Sequence, residues 1–186
     1  MRIIGGNFKG KKLLLPEDKL TRPLKDMVKE SIFNIIEHSK KINIKVKNSL
    51  ILDLFSGSGS FGIECLSRSA RKVVFFESHN KALKILRENV DSLKGKLNYE
   101  IYNEDCFDFS ANNLNLNLKF DIIFIDPPFK EIRINNILEI IIAKKILNNK
   151  GVIIVHRHKK DIIELTKKFK ILEKRNYGIS TIFFGN

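Results

Sequence analysis

The chain has 186 residues, 43% of them hydrophobic, with a mean hydropathy of −0.14, enough for one domain with a sizeable core. Two cysteines exclude a disulfide scaffold or a zinc cluster, and no apolar run approaches the roughly 18–20 residues of a membrane span. A formal charge of +13 and a pI near 9.7 point to a polyanionic partner.

In chain order, MRIIGG and KKLLLP predict two short strands joined by a glycine-containing turn. This segment carries Arg2, Lys9, Lys11 and Lys12 with no acid through residue 15. Thr21-Arg22-Pro23 then predicts the opening of a helix, since proline is tolerated in a first turn. Val28, Ile32, Ile35 and Ile36 would form its buried stripe. Residues 1–47 are too short to bury a core alone and are expected to be an appendage, a β-hairpin and helix, on a domain of residues 48–186. The lysine-rich Lys40–Lys47 closes it. The start shows no apolar stretch before a small-residue cleavage site, so the expected compartment is the cytoplasm.

From Asn48 onward, strands alternate with helices. SLILDLF, KVVFFE, NYEIY, FDIIFID and GVIIVH are short β-branched or aromatic runs. Helical spacing lies between them, at Ala82, Leu86, Val90 and Leu93, and again at Ile134, Leu138, Ile141 and Ile142. Strands apolar on both faces belong to a parallel sheet covered by helices, so the fold class is α/β with an open, doubly wound sheet. NNLNLNLK predicts an irregular connection. A short helix is expected after Lys159, then FKILEKR and ISTIFFGN as a C-terminal antiparallel pair turning at Tyr177-Gly178. A second basic segment, with Lys167, Lys168 and Lys170, runs from Arg157 to Arg175. The four histidines, with no cysteine or carboxylate at ligand spacing, give no metal site.

DLFSGSGSFG, Asp53 to Gly62, follows the first of these strands and holds Gly57, Gly59 and Gly62 at G-x-G-x-x-G spacing. Glycines there let the backbone turn tightly and approach a ligand. Glu77, ending the next strand, is placed to accept hydrogen bonds from ribose hydroxyls. The pattern alone is also that of dinucleotide enzymes. However, Asp53 would repel a pyrophosphate, and Asp105 ends the third strand where an adenine edge would lie. Three carboxylates on successive strand ends suit a positively charged nucleoside, S-adenosylmethionine. The expected cofactor set is Asp53, Phe55, Gly57, Gly59, Glu77, Asp105 and Cys106. In the helix after the loop, Phe61 is expected in the core and Glu64 on the surface.

The fourth strand ends in Asp126-Pro127-Pro128-Phe129, where neither proline can donate to a sheet ladder. A stiff edge of acceptors followed by a ring is what an exocyclic base amine requires. Its lone pair is delocalised into the ring until its N–H bonds are held by acceptors, here the Asp126 carboxylate and the Pro127 carbonyl. Phe129 is expected to stack on a base swung out of its helix or loop.

These two motifs resemble those of amino-methylating S-adenosylmethionine enzymes in general. MRIIGGNFKGKKL and TRPLKDMVKESIFNII are more specific. With them, nearly the whole chain resembles the bacterial 16S ribosomal RNA guanine-N2 methyltransferases of the RsmD type. The resemblance implies a Rossmann-like methyltransferase fold and methylation of one guanine N2 in small-subunit ribosomal RNA, with the naked RNA, the subunit or an assembly intermediate as partner. The expected state is a monomer without metal or membrane attachment. The resemblance implies Gly57 and Gly59 near the methionine part of the cofactor, Glu77 at the ribose, Asp105 at the adenine amine, and Asp126 with Phe129 at the guanine. Thr21, Arg22 and Pro23 match the N-terminal signature. Arg2, Lys9, Lys11, Lys12, Thr21, Arg22 and Lys29 are the RNA-binding candidates. Two rivals stand beside this reading: a DNA adenine-N6 methyltransferase, and a non-catalytic RNA-binding protein on the same fold.

Overall fold

A computed structural model describes residues 1–16, 24–108, 118–161 and 164–186. Seven strands form one sheet: β1 (Leu50–Leu54), β2 (Lys72–Phe76), β3 (Tyr99–Tyr102), β4 (Phe120–Ile125), β5 (Leu147–His158), β6 (Ile171–Tyr177) and β7 (Ser180–Gly185). Their order is β3-β2-β1-β4-β5-β7-β6. The first five are parallel, and β7 runs antiparallel between β5 and β6. The winding reverses between β1 and β4, so the C-terminal ends of these two strands flank a crevice where open α/β sheets bind ligands.

Four helices are described: α1 (Asp26–His38), α2 (Ser60–Ser67), α3 (Asn80–Asp91) and α4 (Ile134–Ala143). Side chains alternate across each strand, and the sheet accordingly separates two apolar clusters. Ile51, Val73, Phe75, Ile122, Phe124, Val152 and Ile154 pack with residues of α1, α2 and α3. Leu52, Leu54, Val74, Phe76, Ile123, Ile125, Ile153 and Val155 pack with Ile134, Ile137, Leu138 and Ile141 of α4. Both faces of the central strands are therefore dry, as the unbroken apolar runs predict. Truncating a ring such as Phe124 at the centre would cost about 3–5 kcal/mol.

The expected N-terminal hairpin is reduced to one antiparallel bridge, Arg2 with Lys12. The tip forms a 3-10 turn, Gly6–Phe8, instead of two full strands. It docks on α2: Phe8 N–H donates to Ser67 Oγ at 3.0 Å, and that hydroxyl donates to Gly5 O at 2.6 Å. Ile3, Leu13, Val28, Ile32 and Phe33 share the α2–α3 cluster.

Helix α1 begins at Asp26, later than the sequence suggests, because Lys25 has extended backbone (φ −57°, ψ 141°). Thr21-Arg22-Pro23 lies outside the described residues, as does most of NNLNLNLK. Asp26 in the first turn suits the positive end of the helix dipole. After Lys159, residues 164–170 form no helix but a turn leading into β6. The C-terminal pair closes through Gly178 and Ile179, with Gly178 at φ 57° and Tyr177 opposite Ser180. No described helix is long and apolar enough to cross a membrane.

Candidate active site

A cavity of about 610 Å³ opens over the C-terminal ends of β1, β2 and β4. Its lining includes Asp53, Phe55, Gly57, Glu77, Asp105, Asp126, Pro127, Pro128 and Phe129, residues drawn from four separated stretches of the sequence. Ser56, Ser58 and Ser60 add hydroxyls, and Phe61, Phe107 and Phe124 add apolar wall. This mixture of apolar wall and a few convergent polar groups is the usual make-up of a small-molecule site.

The loop after β1 is held by its own acids. Asp53 is almost fully buried, and its Oδ2 accepts the Gly62 N–H at 2.9 Å. Burial pushes its carboxyl well above the usual range, the Gly62 hydrogen bond opposes this, and the charges of Asp126 and Glu77 add to the rise. Glu77 binds the loop backbone from the neighbouring strand, accepting from Gly57 N–H at 2.7 Å and from His79 N–H at 2.7 Å. Each oxygen keeps a second lone pair. Phe55 stands at φ 58°, a left-handed conformation that a non-glycine residue adopts only under local constraint, with its ring edge-on to Phe107 at 6.0 Å.

The glycines divide into two roles. Gly57, at φ 57°, lines the cavity. Gly59 turns away from it: a Cβ there would sit 2.3 Å from Leu86 Cδ1, and its φ is 82°. At Gly62 a Cβ would meet the Phe75 ring at 2.2 Å. Thus Gly59, expected beside the ligand, serves the packing of the loop on α3, and Gly62 serves the packing of α2 on the sheet. Cys106, also expected at the cofactor, is buried behind the site and is absent from the lining. Its Sγ accepts the Phe55 N–H at 3.3 Å, and burial raises its thiol pKa. It supports Phe55 from below.

Asp105 accepts the Phe107 N–H at 3.0 Å, fixing the turn after β3. Arg133 lays its guanidinium 3.7 Å from the Phe107 ring centre and forks onto Glu131 at 2.7 and 2.9 Å. That contact holds the Glu131 carboxyl below its ordinary range. At the Asp126 end, Pro127 is buried, while Asp126 and Phe129 are partly exposed and line the cavity.

Three residues that the sequence reading gave no place in the site organise its rim and its loop. His156 is buried and places Nδ1 2.8 Å from Asp126 Oδ1 and Nε2 2.8 Å from Ser180 Oγ. Arg157, read as part of a basic surface, is buried beneath the loop and donates to the carbonyls of Phe129 and Glu131 at 3.2 and 3.0 Å. Its Nε lies 2.9 Å from Asp161 Oδ2. Asn89, on α3, ties Ser58 O and Leu14 O through its amide nitrogen, each at 3.0 Å. The pairing of β4 with β5 sets Phe124 against Ile154 and Ile125 against Val155, so one further step brings Asp126 beside His156. The signal was the polar residue closing each apolar run, FDIIFID and GVIIVH. Register between parallel strands far apart in sequence is not written locally.

The basic candidates fare unevenly. Arg2, Lys9 and Lys12 are exposed, with Arg2 3.6 Å from Asp26. Lys11 donates to the Ser92 carbonyl at the end of α3. Lys29 cannot reach a macromolecule. It is 0% exposed, donates to Arg2 O at 2.7 Å and lies 3.6 Å from Glu64 Oε2. Burial lowers its pKa, with Glu64 pulling the other way. Glu64, expected on the surface, is likewise 0% exposed. It accepts from Ile4 N–H at 2.8 Å and pairs with Arg68 at 2.9 Å, and Arg68 reaches Glu37 at 2.6 Å. Thr21 and Arg22 lie outside the described residues.

A family model described as Conserved hypothetical protein 95 matches residues 1–186. The chain is 31% identical to the Bacillus subtilis protein named "Putative rRNA methyltransferase YlbH", covering 98% of this chain and 96% of that one. It is also 31% identical to the Haemophilus influenzae protein named "Ribosomal RNA small subunit methyltransferase D", over 96% and 90% respectively. Among solved structures, the Escherichia coli protein titled "Putative methyltransferase yhhF" superposes with a TM-score of 0.81 at 25% identity, over 100% of this chain and 96% of that one.

Proposed function

The chain belongs to the Conserved hypothetical protein 95 family, and we propose that it is an S-adenosylmethionine-dependent methyltransferase acting on the N2 amine of a guanine in 16S ribosomal RNA. The observation that carries this reading is the meeting of two halves in one cavity: the loop of Asp53 and Gly57 with Glu77 and Asp105, and the Asp126-Pro127-Pro128-Phe129 rim. The names of the relatives that span nearly the whole chain support RNA as the substrate class.

The donors present fit the cofactor. About 610 Å³ accommodates a nucleoside bearing an amino-acid arm. Glu77 keeps lone pairs for ribose hydroxyls, Asp105 would face the adenine end, and the Asp53, Glu77 and Asp105 carboxylates favour a cation over a pyrophosphate. Bound there, S-adenosylmethionine supplies a methyl carbon that a nitrogen lone pair displaces from sulfur, the bonding electron pair staying on the thioether.

The chain's own share is placement and charge. Asp126 Oδ2, which has no partner among the described residues, accepts one N–H of the amine and takes the proton that leaves, passing it to water. The Pro127 carbonyl accepts the second N–H. With no N–H at 127 or 128, the edge presents acceptors only. Phe129, edge-on to His158 at 4.7 Å, offers the ring on which the extruded base stacks. Arg157 holds the loop beneath it by two carbonyls.

Incubation with methyl-labelled cofactor and 16S RNA, either free or in partly assembled subunits, tests the reading. Label is expected in a single methylguanine, and comparison of the two substrates identifies the natural one. Label entering only adenine in DNA would overturn the reading. Failure of S-adenosylmethionine to raise the unfolding temperature would support a fold without catalysis.

A further inference from the structure

Asp126 has two carboxylate oxygens, and the described residues engage one of them. Oδ1 meets His156 Nδ1 at 2.8 Å; Oδ2 has no partner among the described residues, and the side chain borders the cavity. Left alone, an aspartate carboxylate rotates in a broad, two-fold well, so that either oxygen, or neither, would face the substrate. The imidazole is 3% exposed and stands on β5, a central strand paired on both sides. It is therefore a rigid stop.

The Asp126 carboxylate, which can only accept, fixes the ring's hydrogen on the near nitrogen, and the far one is left to accept. His156 Nε2 lies 2.8 Å from Ser180 Oγ, itself buried. Residue 180 pairs with His158, so it lies on β7 diagonally opposite His156, on the same face of the sheet. The Ser180 hydroxyl meets no other acceptor among the described residues, so its hydrogen points at Nε2. An imidazole nitrogen that accepts leaves the other to carry the ring's hydrogen. That hydrogen is on Nδ1, aimed at Asp126.

We propose that His156, held in its Nδ1–H tautomer between the Asp126 carboxylate and Ser180, is a positioning residue that turns Asp126 Oδ1 inward and leaves Oδ2 facing the acceptor amine. It touches neither methyl nor base. With Nε2 already accepting, it is not the base that removes the amine proton. The inference rests on the methyl-transfer reading, which assigns Oδ2 its task.

Three substitutions of the full chain separate this from a merely structural role. An asparagine amide nitrogen occupies nearly the place of Nδ1, and a glutamine amide nearly that of Nε2. His156→Asn is therefore expected to keep kcat within about fivefold, while His156→Gln and His156→Leu lose about 10²-fold, the scale of a misplaced reacting group. KM for RNA and the cofactor affinity should stay within about twofold in all three. Equal activity of wild type and His156→Leu, or His156→Asn as slow as His156→Leu, would overturn the proposal.

A second readout needs no turnover. Long-range proton–nitrogen correlation spectra of the ring should show hydrogen on Nδ1 alone, in the wild type and in Ser180→Ala, where the acceptor-only Asp126 carboxylate still requires it. An Nε2–H or doubly protonated ring at neutral pH would overturn the proposal even in an active enzyme. A protein that transfers no methyl but shows the Nδ1–H ring would instead overturn the functional reading, leaving the tautomer established.

Discussion

Two clusters of charge lie on the same side of the sheet, and they are built oppositely. Under α1 and α2, Lys29, Glu64, Arg68 and Glu37 form a closed chain of ion pairs, Lys29 and Glu64 wholly buried. At the strand ends, Asp53, Glu77 and Asp126 converge on the cavity, where the described residues bond them through the Gly62, Gly57 and His79 amides and a histidine ring. The first cluster answers each charge within the chain and joins the N-terminal segment to the domain. The second leaves negative charge and lone pairs turned to a cavity. Residue type does not separate them; the completeness of pairing does.

The largest expected effect breaks the open cluster. Asp126→Ala should lower turnover about 10³-fold with cofactor affinity within about twofold in a calorimetric titration. Comparable loss of both would move Asp126 from the acceptor amine to the cofactor. Next comes the closed cluster. Lys29→Met leaves Glu64 buried with one partner fewer and should destabilise the fold by about 3–5 kcal/mol in urea unfolding. Adding Glu64→Gln should return much of that loss. If the double variant is as unstable as the single one, the pair is not coupled.

Asp53 sharpens the contrast, because its charge costs stability. Burial raises its carboxyl above the usual range, so the folded chain binds that proton more readily than the unfolded one. Its contribution to stability therefore falls as pH rises from about 3.9, the unfolded value, through the raised folded one. Asp53→Asn should flatten this slope in thermal unfolding between pH 5 and 8 and raise the midpoint at pH 8, while weakening cofactor binding. An unchanged slope would mean Asp53 stays ionised throughout. The smallest effect contrasts two lysines. Lys12→Ala at the exposed N-terminal segment should reduce the slope of log affinity for RNA against log salt by about one and leave unfolding unchanged, the reverse of Lys29→Met.

Much of the site was legible because its parts are contiguous. DLFSGSGSFG encodes a strand, a glycine turn and a helix start in ten residues, and Asp-Pro-Pro-Phe carries its stiffness in its own covalent structure. Lys29 was misread because one lysine on an amphipathic helix looks like any other until its neighbours are known. Glu64 was misread for the same reason. Gly59 followed the spacing rule for ligand glycines, yet Leu86, far along the chain, determines what it faces.

The amino-acid sequence alone determined the alternation of strands and helices, the two-faced apolar strands and the acidic strand ends, since each depends on neighbours within a few residues. Only the tertiary structure decided which charges are closed off and which stay open, and that His156 and Ser180 stand behind Asp126. Those facts depend on the register of strands 30 and 24 residues apart, which is set by the packing of both faces together and by no single segment.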